Sequence, residues 1–321
     1  MIASSQPFAL TRLAHAPEAA SLTFLVLLSL ALSITTPGFL TIENLTAIAI
    51  QIAVVGIVAL AVNQVILGGE IDVSTGSMLA VCCFVYGNVA QWQASPALAL
   101  LAALLVGGAL GSINGVLVTV VRVPSIIATL GMQLLLRGVV LLWAANGVLS
   151  IPADFRVLGL GKIAHLPIAI LILMLTYGVF ALASRHTNWG REIVAIGSNP
   201  RAARVVGLHV DAARLRAFVA SGLACGLAST VFFGQVGQMQ ATVANGFELQ
   251  VIAAIVLGGT RITGGRGSAL GPVIGAVLVG LILNALTLNS VPVTVEQFVL
   301  GALILAAIAF DALRLRIFQS R

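Results

Sequence analysis

The sequence of 321 residues is 60% hydrophobic and only 8% charged, and its mean hydropathy is +1.12. These values exclude an ordinary soluble globular domain and indicate an integral membrane protein. The net charge of +6 is better explained as a signal for membrane orientation than as a nucleic-acid site, so we predict no nucleic-acid partner.

Proline, glycine and charged residues divide the chain into ten apolar segments that fit membrane-spanning helices. The first contains Thr23 to Ile34, which resembles a signal sequence, but no basic cluster or A-x-A site frames it, so we predict a retained span. No alternating β pattern occurs, and the predicted fold is therefore an all-α polytopic membrane protein. The eighth segment is short, and we interpret it as a half-helix or a tilted span. The predicted spans are 20–37, 47–67, 75–92, 97–119, 125–145, 165–183, 216–236, 247–260, 268–287 and 294–311.

Basic residues are distributed unevenly over the loops between these spans. Ten spans put both termini on one side, and cytoplasmic termini leave only Arg156 and Lys162 outside, with Arg137 inside a span. This asymmetry follows the positive-inside rule and supports both the span count and the orientation. The residues predicted on the cytoplasmic side are Arg12, Arg122, Arg185, Arg191, Arg201, Arg204, Arg214, Arg216, Arg261, Arg266, Arg314, Arg316 and Arg321.

The segment LGGEIDVSTGSML lies between the second and third spans and shares LGG, GS and a following Leu with LGGTRITGGRGSAL after the eighth span. The likeness suggests duplicated hairpins, although abundant glycine makes chance an equal explanation. Glu70 and Asp72 fit either a proton relay or a turn at the cytoplasmic surface in which Asp72, Ser74 or Thr75 caps the third span. We favour the turn.

Six polar side chains fall within predicted spans, where they either line a cavity or bond between helices. These candidates for lining a transport pathway are Asn63, Gln64, Asn114, Gln133, Arg137 and Asn284. An interhelical hydrogen bond is the simpler explanation for each Asn and Gln. Arg137 needs water, carbonyl oxygens or a counter-ion such as Glu248 or Glu296, unless it extends to the outer interface. The small residues predicted to permit close helix packing include Gly107, Gly108, Gly111, Gly271, Gly275 and Gly280.

The stretch WGREIVAIGSNPRAARVVGLHVDAARLR collects five arginines between the sixth and seventh spans. Within it Asn199 fits an N-cap, Pro200 the first helical position and Gly207 the residue just past the end, so a helix of about two turns is predicted. So short a helix is not stable alone in water and must pack against something. The stretch is either a basic loop that only sets topology or a rigid helix presented to a cytoplasmic partner.

Four motifs occur in order between residues 40 and 312. The loop reads GREIVAIGSNPRAARVVGLHV, and the other three read GGEIDVSTGSMLA, NGVLVTVVRVPSIIATLGMQLLLRGV and GFELQVIAAIVLGGTRITGGRGSALG. Together they resemble the ribose/xylose/arabinose/galactose-type ABC transporter permeases, which include monosaccharide and autoinducer-2 permeases. The chain departs from the family pattern at three positions, because Glu70 replaces a glycine, Gln250 an Asp and Arg261 a small residue.

The resemblance implies a type II ABC importer-like permease, with residues 1–321 as one transmembrane permease domain and residues 185–214 as its cytoplasmic coupling loop. It further implies an ABC ATPase subunit, a periplasmic or extracellular solute-binding protein and a second permease chain as partners, in contact with membrane lipid of the bacterial inner membrane. The loop positions that match the family, and that are therefore expected to couple to the ATPase, are Arg191, Ala195, Gly197, Asn199, Ala202, Ala203, Gly207 and Leu208.

Motifs for catalysis or cofactor binding are missing from the sequence. No G-x-x-x-x-G-K-[ST], H-E-x-x-H or G-x-S-x-G occurs, and Cys82, Cys83 and Cys225 have no metal-type spacing. We therefore predict a transport subunit without cofactor, metal or catalytic residues, and the resemblance implies that a separate subunit hydrolyses the ATP. The expected solute is a monosaccharide or similar small polyol, moved by alternating access.

One alternative from another class of protein is an ion-coupled secondary transporter or channel for a small polar solute. Glu70, Asp72 or Glu248 would then carry the ion coupling, because intramembrane carboxylates often lie on ion pathways.

Overall fold

The computed structural model describes residues 19–92, 95–145 and 147–319. This part of the chain contains thirteen α-helices and one 3-10 helix, Ala153–Arg156. The α-helices are α1 (Ala19–Thr35), α2 (Ile42–Leu67), α3 (Thr75–Gln91), α4 (Pro96–Thr119), α5 (Ser125–Ala144), α6 (Val157–Leu160), α7 (Ile168–His186), α8 (Asn188–Ser198), α9 (Pro200–Val205), α10 (Val210–Val236), α11 (Phe247–Leu257), α12 (Gly271–Leu288) and α13 (Val293–Gln319). The predicted helical class is confirmed.

Four strands of two residues each form two small antiparallel ladders in the connections between helices. β1 (Leu149–Ser150) pairs with β4 (Gln238–Met239), and β2 (Lys162–Ile163) pairs with β3 (Leu166–Pro167). Ladders this short add little stability by themselves. The pairing of β1 with β4 holds the connection that follows α5 against the residues that follow α10, whereas β2 and β3 form a local hairpin before α7.

Six of the described helices are long and apolar enough to cross a membrane, namely α2, α4, α5, α7, α10 and α12. The predicted count of ten spans is not confirmed, although each predicted segment overlaps a helix. α1 and α11 are apolar but shorter than 18 residues, with 17 and 11 residues. α11 rises only about 16 Å at 1.5 Å per residue, because glycines end the helical run that the sequence prediction had continued to residue 260.

The orientation prediction also extends beyond the described part of the chain. Arg12 and Arg321 lie outside the described residues, and the placement of both termini in the cytoplasm stays a prediction.

α2 and α10 lie at the centre of the bundle. Every residue of α2 from Ile52 to Leu67 is buried, which explains why this helix is apolar on all sides. The outer helices α5 and α7 instead leave large apolar side chains exposed, such as Leu134, Leu142 and Leu175. Exposed leucine on a spanning helix fits contact with lipid or with another membrane-embedded chain.

Glycines let α4 and α10 approach until their backbones touch. A β-carbon at Gly107 would collide with the carbonyl oxygen of Gly222, and one at Gly111 with that of Phe218. A second close approach joins α11 and α12, where a β-carbon at Gly275 would collide with Ala254. Without a hydrophobic drive between helices in lipid, such contacts supply much of the attraction through van der Waals packing. The prediction that these glycines permit close packing is confirmed.

Candidate functional site

The charged loop folds into two short helices, α8 and α9, joined at one residue. Asn199 caps α9, since its Oδ1 accepts a hydrogen bond of 3.0 Å from the Ala202 N–H, and Pro200 follows at the first helical position. The helix ends at Gly207, which has a φ of +84° and is followed by a 3.0 Å bond from the Leu208 N–H to the Ala203 carbonyl oxygen. The predicted short helix is confirmed, and its Gly207 occupies the left-handed conformation that terminates helices.

α8 precedes it and was missed in the sequence. Thr187 caps α8 by accepting a 3.2 Å bond from the Gly190 N–H, and the helix buries Ile193 and Ile196 completely. The signal that could have found it is this pair of isoleucines three residues apart, which gives the amphipathic helix α8 one buried apolar face.

The two loop helices are anchored on the C-terminal end of α2. The Leu67 carbonyl oxygen accepts a 3.0 Å hydrogen bond from the Gly265 N–H, and a β-carbon at Gly197 would collide with that same carbonyl. The Trp189 indole donates to the Ala213 carbonyl oxygen at 3.1 Å, which fixes α8 to α10. Gly197 of α8 and Gly265, which are far apart in sequence, therefore both contact the Leu67 carbonyl oxygen. These contacts hold the loop closely against the bundle.

The predicted coupling residues divide into two groups by burial. Ala203 is buried, and Gly197 and Leu208 are half-buried. These three hold the loop on the bundle. The five that remain exposed to a partner are Arg191, Ala195, Asn199, Ala202 and Gly207.

An apolar tip on the loop was missed in the sequence prediction. Val205 and Val206 are 86% and 73% exposed at the end of α9. These two adjacent valines form an exposed apolar patch on a loop that is otherwise rich in arginine. Exposed apolar patches often lie at protein–protein contacts. Their position at the end of a predicted helix could have identified them.

Two ion pairs connect the loop and α10 to the rest of the chain. Arg204 of α9 meets Asp211 at 2.8 Å with both side chains about half exposed. Arg214 meets Glu70 at 2.6 Å with both side chains largely buried, and its Nε donates to the Gly68 carbonyl oxygen at 3.1 Å. Glu70, which departs from the family pattern, therefore has a specific partner. Nothing in the structure explains the departures at Gln250 and Arg261.

A non-helical segment, residues 68–74, leads from α2 into α3 through the bundle. The Ile71 N–H donates to Ser125 Oγ at 3.2 Å and the Val73 N–H to Thr129 Oγ1 at 3.3 Å. Both hydroxyls belong to the first turns of α5. Backbone groups that have left a helix and are shielded from water need such partners, and the sequence analysis did not identify Ser125 or Thr129.

Asp72, within this segment, is completely buried. Its carboxylate accepts bonds from the Ser74 N–H at 3.0 Å and the Ser74 hydroxyl at 2.7 Å, and from Ser221 of α10 at 2.9 Å. Asn114 Nδ2 in turn donates to Ser74 Oγ at 2.8 Å. The chain turns here as predicted, but Asp72 is buried within the bundle, and the placement of the turn at the cytoplasmic surface stays a prediction. The predicted cap is wrong, because Ser74 precedes α3 without a side-chain cap bond. Asp72 instead binds a backbone N–H two residues on, as in an Asx-turn.

The remaining pathway candidates occupy different environments. Asn63, Gln64 and Asn114 are almost inaccessible, and Asn284 is 8% exposed. Asn63 accepts from Thr260 at 2.8 Å and donates to the Ser268 carbonyl oxygen at 3.0 Å. These contacts favour the interhelical explanation for Asn63.

Asn284 has an interhelical partner as well. It exchanges two hydrogen bonds, of 2.7 and 3.1 Å, with Asn44 of α2. Paired amides of this kind hold two apolar helices together in lipid.

Gln133 and Arg137 differ from the others because both are partly exposed on one face of α5. Gln133 Nε2 donates to Glu248 Oε1 at 2.8 Å, and Arg137 Nη1 donates to the Val243 carbonyl oxygen at 2.8 Å. Among the described residues, Arg137 makes no ion pair within 4.0 Å. Its direct partner is thus a carbonyl oxygen, one of the options predicted, and Glu248 lies nearby.

Comparisons with known proteins identify the family to which this sequence is similar. The family described as "Branched-chain amino acid transport system / permease component" matches residues 44–308. The ribose import permease protein RbsC of Escherichia coli (strain K12) is 35% identical over 299 residues, covering 92% of this chain and 93% of that protein. The autoinducer 2 import system permease protein LsrC of Yersinia enterocolitica is 35% identical over 281 residues, 87% and 78% of the two chains. The L-arabinose permease protein AraH of Azospirillum brasilense is 32% identical over 292 residues, 91% and 86%. No solved structure matches.

The two ion pairs should differ in strength because of their burial. Replacing Glu70 and Arg214 by Gln, singly and together, should reveal a coupling of about 1–3 kcal/mol in the free energy of unfolding, since breaking a shielded pair leaves a charge in an apolar setting. The same cycle on the exposed Arg204 and Asp211 should give less than about 1 kcal/mol, and salt should reduce it. Unfolding by SDS in mixed micelles measures both cycles. Equal coupling for the two pairs would contradict the assigned difference.

Proposed function

Because the chain belongs to the family of branched-chain amino acid transport system / permease components, we propose that it forms the membrane path of an ATP-driven importer for a monosaccharide or similar small polyol. The chain is a multi-pass permease of the inner membrane and a transport subunit, not an enzyme. The solute class is supported by relatives named for the import of ribose, autoinducer 2 and L-arabinose. The observation that carries the proposal is the family match over residues 44–308. The loop, with the exposed valines Val205 and Val206 at the end of α9, supplies a surface that can contact the ATPase.

In this proposal α8 and α9 are the coupling element within the loop 185–214. ATP hydrolysis takes place in a separate subunit, and permeases of this family work with an ATPase and a solute-binding partner. Arg191, Asn199 and Ala202 face outward toward the ATPase, and Val205 and Val206 insert into an apolar groove on it. Movement of that groove then reaches the bundle, because Gly197 and Gly265 fix the loop to Leu67.

The proposed orientation places this loop and both termini in the cytoplasm, with about ten crossings in a type II importer arrangement and the whole chain as one permease domain. The transport path then runs along the face of α5 that carries Gln133 and Arg137. That face is only partly covered by the described residues, so a second permease chain, identical or related, completes the path. The solute-binding protein docks on the opposite side of the membrane and delivers solute to this path, which opens alternately to each side.

Transport assays test the proposal directly. Vesicles holding the permease, its ATPase and its solute-binding protein should take up labelled D-ribose or L-arabinose only with internal ATP. An ionophore that collapses the proton gradient should leave this uptake unchanged, since neither Glu70 nor Asp72 needs to relay protons. Uptake that continued without the ATPase and stopped with the ionophore would instead establish the ion-coupled alternative.

The apolar tip of the loop should be needed for coupling. Changing Val205 and Val206 to Ser removes the apolar contact with the groove, so sugar uptake should fall at least about tenfold, as for truncated contacts at the centre of an interface. The protein should still insert and unfold like the wild type, because both side chains are exposed. Val148→Ser, at a valine 58% exposed elsewhere on the surface, is the matched control and should transport normally. Full uptake by the tip variant would show that the loop only sets topology.

Chemical labelling tests the orientation. Ala202→Cys should react with a membrane-impermeant thiol reagent only after the membrane is opened, whereas Val148→Cys should react in intact cells. The native cysteines form a low background because Cys82, Cys83 and Cys225 are buried. Labelling of Ala202→Cys from outside in intact cells would overturn the topology and, with it, the coupling role.

A further inference from the structure

Two interrupted helices meet inside the bundle through their first turns. α3 begins at Thr75 after the non-helical segment, and α11 begins at Phe247 after the non-helical residues 240–246. A β-carbon at Gly76 would collide with the Glu248 carboxylate and lie 2.9 Å from the Ala244 carbonyl oxygen. The N-termini of α3 and α11 therefore touch, with only the hydrogen of a glycine between them.

This contact lies near the middle of the membrane. Gln133, which bonds Glu248, is eight residues beyond the first residue of α5, or about 12 Å along that helix. Glu248 is nine residues before the end of α11, or about 14 Å by the same measure. The start of α5 and the end of α11 lie on the same side of the bundle. On this side the Gly265 N–H bonds the Leu67 carbonyl oxygen and the Ile71 N–H bonds Ser125. For a hydrocarbon core of about 30 Å, the two estimates agree on mid-depth.

Unpartnered polar atoms concentrate at the same place. In the described part of the chain, six buried side-chain atoms have no hydrogen-bond partner, and four of them lie on or touch residues 74–77. Two are the hydroxyls of Thr75 and Ser77, one is Oδ1 of the Asn114 that bonds Ser74, and one is Glu248 Oε2. Such atoms are rare in native proteins, and a buried water or a bound solute can complete their bonding.

The charges of this centre balance. Arg137 contributes one positive charge and Glu248 one negative charge, but each bonds a neutral group, the Val243 carbonyl oxygen and the Gln133 amide. Arg137 has five N–H donors, of which one is used among the described residues, and Glu248 has an unused oxygen. A hydroxyl group both donates and accepts, so it satisfies Oε2 whether or not that oxygen carries a proton.

We propose that this centre, formed by Glu248, Gln133, Arg137 and the first turn of α3, binds hydroxyl groups of the transported solute. The proposal rests on the proposed transport function and deepens it, because it assigns the solute contact to particular atoms. Non-helical backbone and helix N-termini at mid-membrane are where transport proteins place polar ligands. Glu248 is only 9% exposed, so the solute reaches it when α3 and α11 separate during alternating access.

The test pairs each protein variant with sugars that lack one hydroxyl. Vesicles with the complete transporter take up labelled D-ribose, L-arabinose and the monodeoxy analogues of each. The wild type should discriminate against at least one analogue. In Glu248→Gln this discrimination should fall about tenfold, the difference between a hydrogen bond to a charged group and one to a neutral group. The preference of the binding protein cancels, because every variant uses the same one.

A second variant changes the surroundings of Glu248 Oε2 from the side of α3. Gly76→Ala places a methyl group against the Glu248 carboxylate and should also lower the discrimination. The matched controls lie on α7, where Gly178 has open space around it and Thr176 bonds only its own helix. Gly178→Ala and Thr176→Val should discriminate like the wild type, and SDS unfolding checks that all four variants fold.

Each outcome decides between the claims. Unchanged discrimination in both Glu248→Gln and Gly76→Ala, with ATP-driven sugar uptake intact, would overturn the centre and leave the importer function standing. ATP-driven uptake of L-leucine instead of either sugar would overturn the polyol class. Absence of ATP-driven uptake of any of these probes in the wild type would remove the proposed function and this inference with it.

Discussion

A backbone that leaves its helix inside an apolar bundle must find hydrogen-bond partners where there is no water. In the segment from Gly68 to Ser74, the N–H groups of Ile71 and Val73 donate to the hydroxyls of Ser125 and Thr129. The Ser74 N–H donates to the Asp72 carboxylate, which forms the turn. Removing any of these groups would leave a buried N–H or a buried carboxylate without a partner, which costs about 1–3 kcal/mol or more. The path of the chain through the bundle is therefore held by side chains from three other helices.

The same segment connects the two ends of the proposed mechanism. Its first residues touch α8, since a β-carbon at Gly68 would press against the Ile193 side chain and one at Gly69 would lie 3.7 Å from Gly197. Its last residues enter α3, whose first turn packs on Glu248 at mid-membrane. A displacement of the loop by an ATPase would thus be passed to the proposed solute centre through seven residues of non-helical chain, without the need for a long helix to bend.

The departure at Glu70 illustrates how a motif can change while its structure is kept. A family glycine is replaced by an acid, which would be costly in a shielded position by itself. Here Arg214 sits at 2.6 Å from the new carboxylate. The pair adds a charged connection between α10 and the end of α2, beside the backbone contacts that Gly197 and Gly265 already make there.

The sequence by itself determined the membrane class, the approximate position of each long apolar helix and the caps of α9, because these depend on composition and on neighbours a few residues away, whereas α8 was missed. Only the tertiary structure decided that Asn63 and Asn284 are buried between helices, while Gln133 stays half-buried and bonds Glu248. The physical reason is that helices apolar on all sides carry no periodicity to reveal their buried face. The contact between Gln133 and Glu248 joins residues 115 positions apart, and such a distance in sequence leaves no local trace.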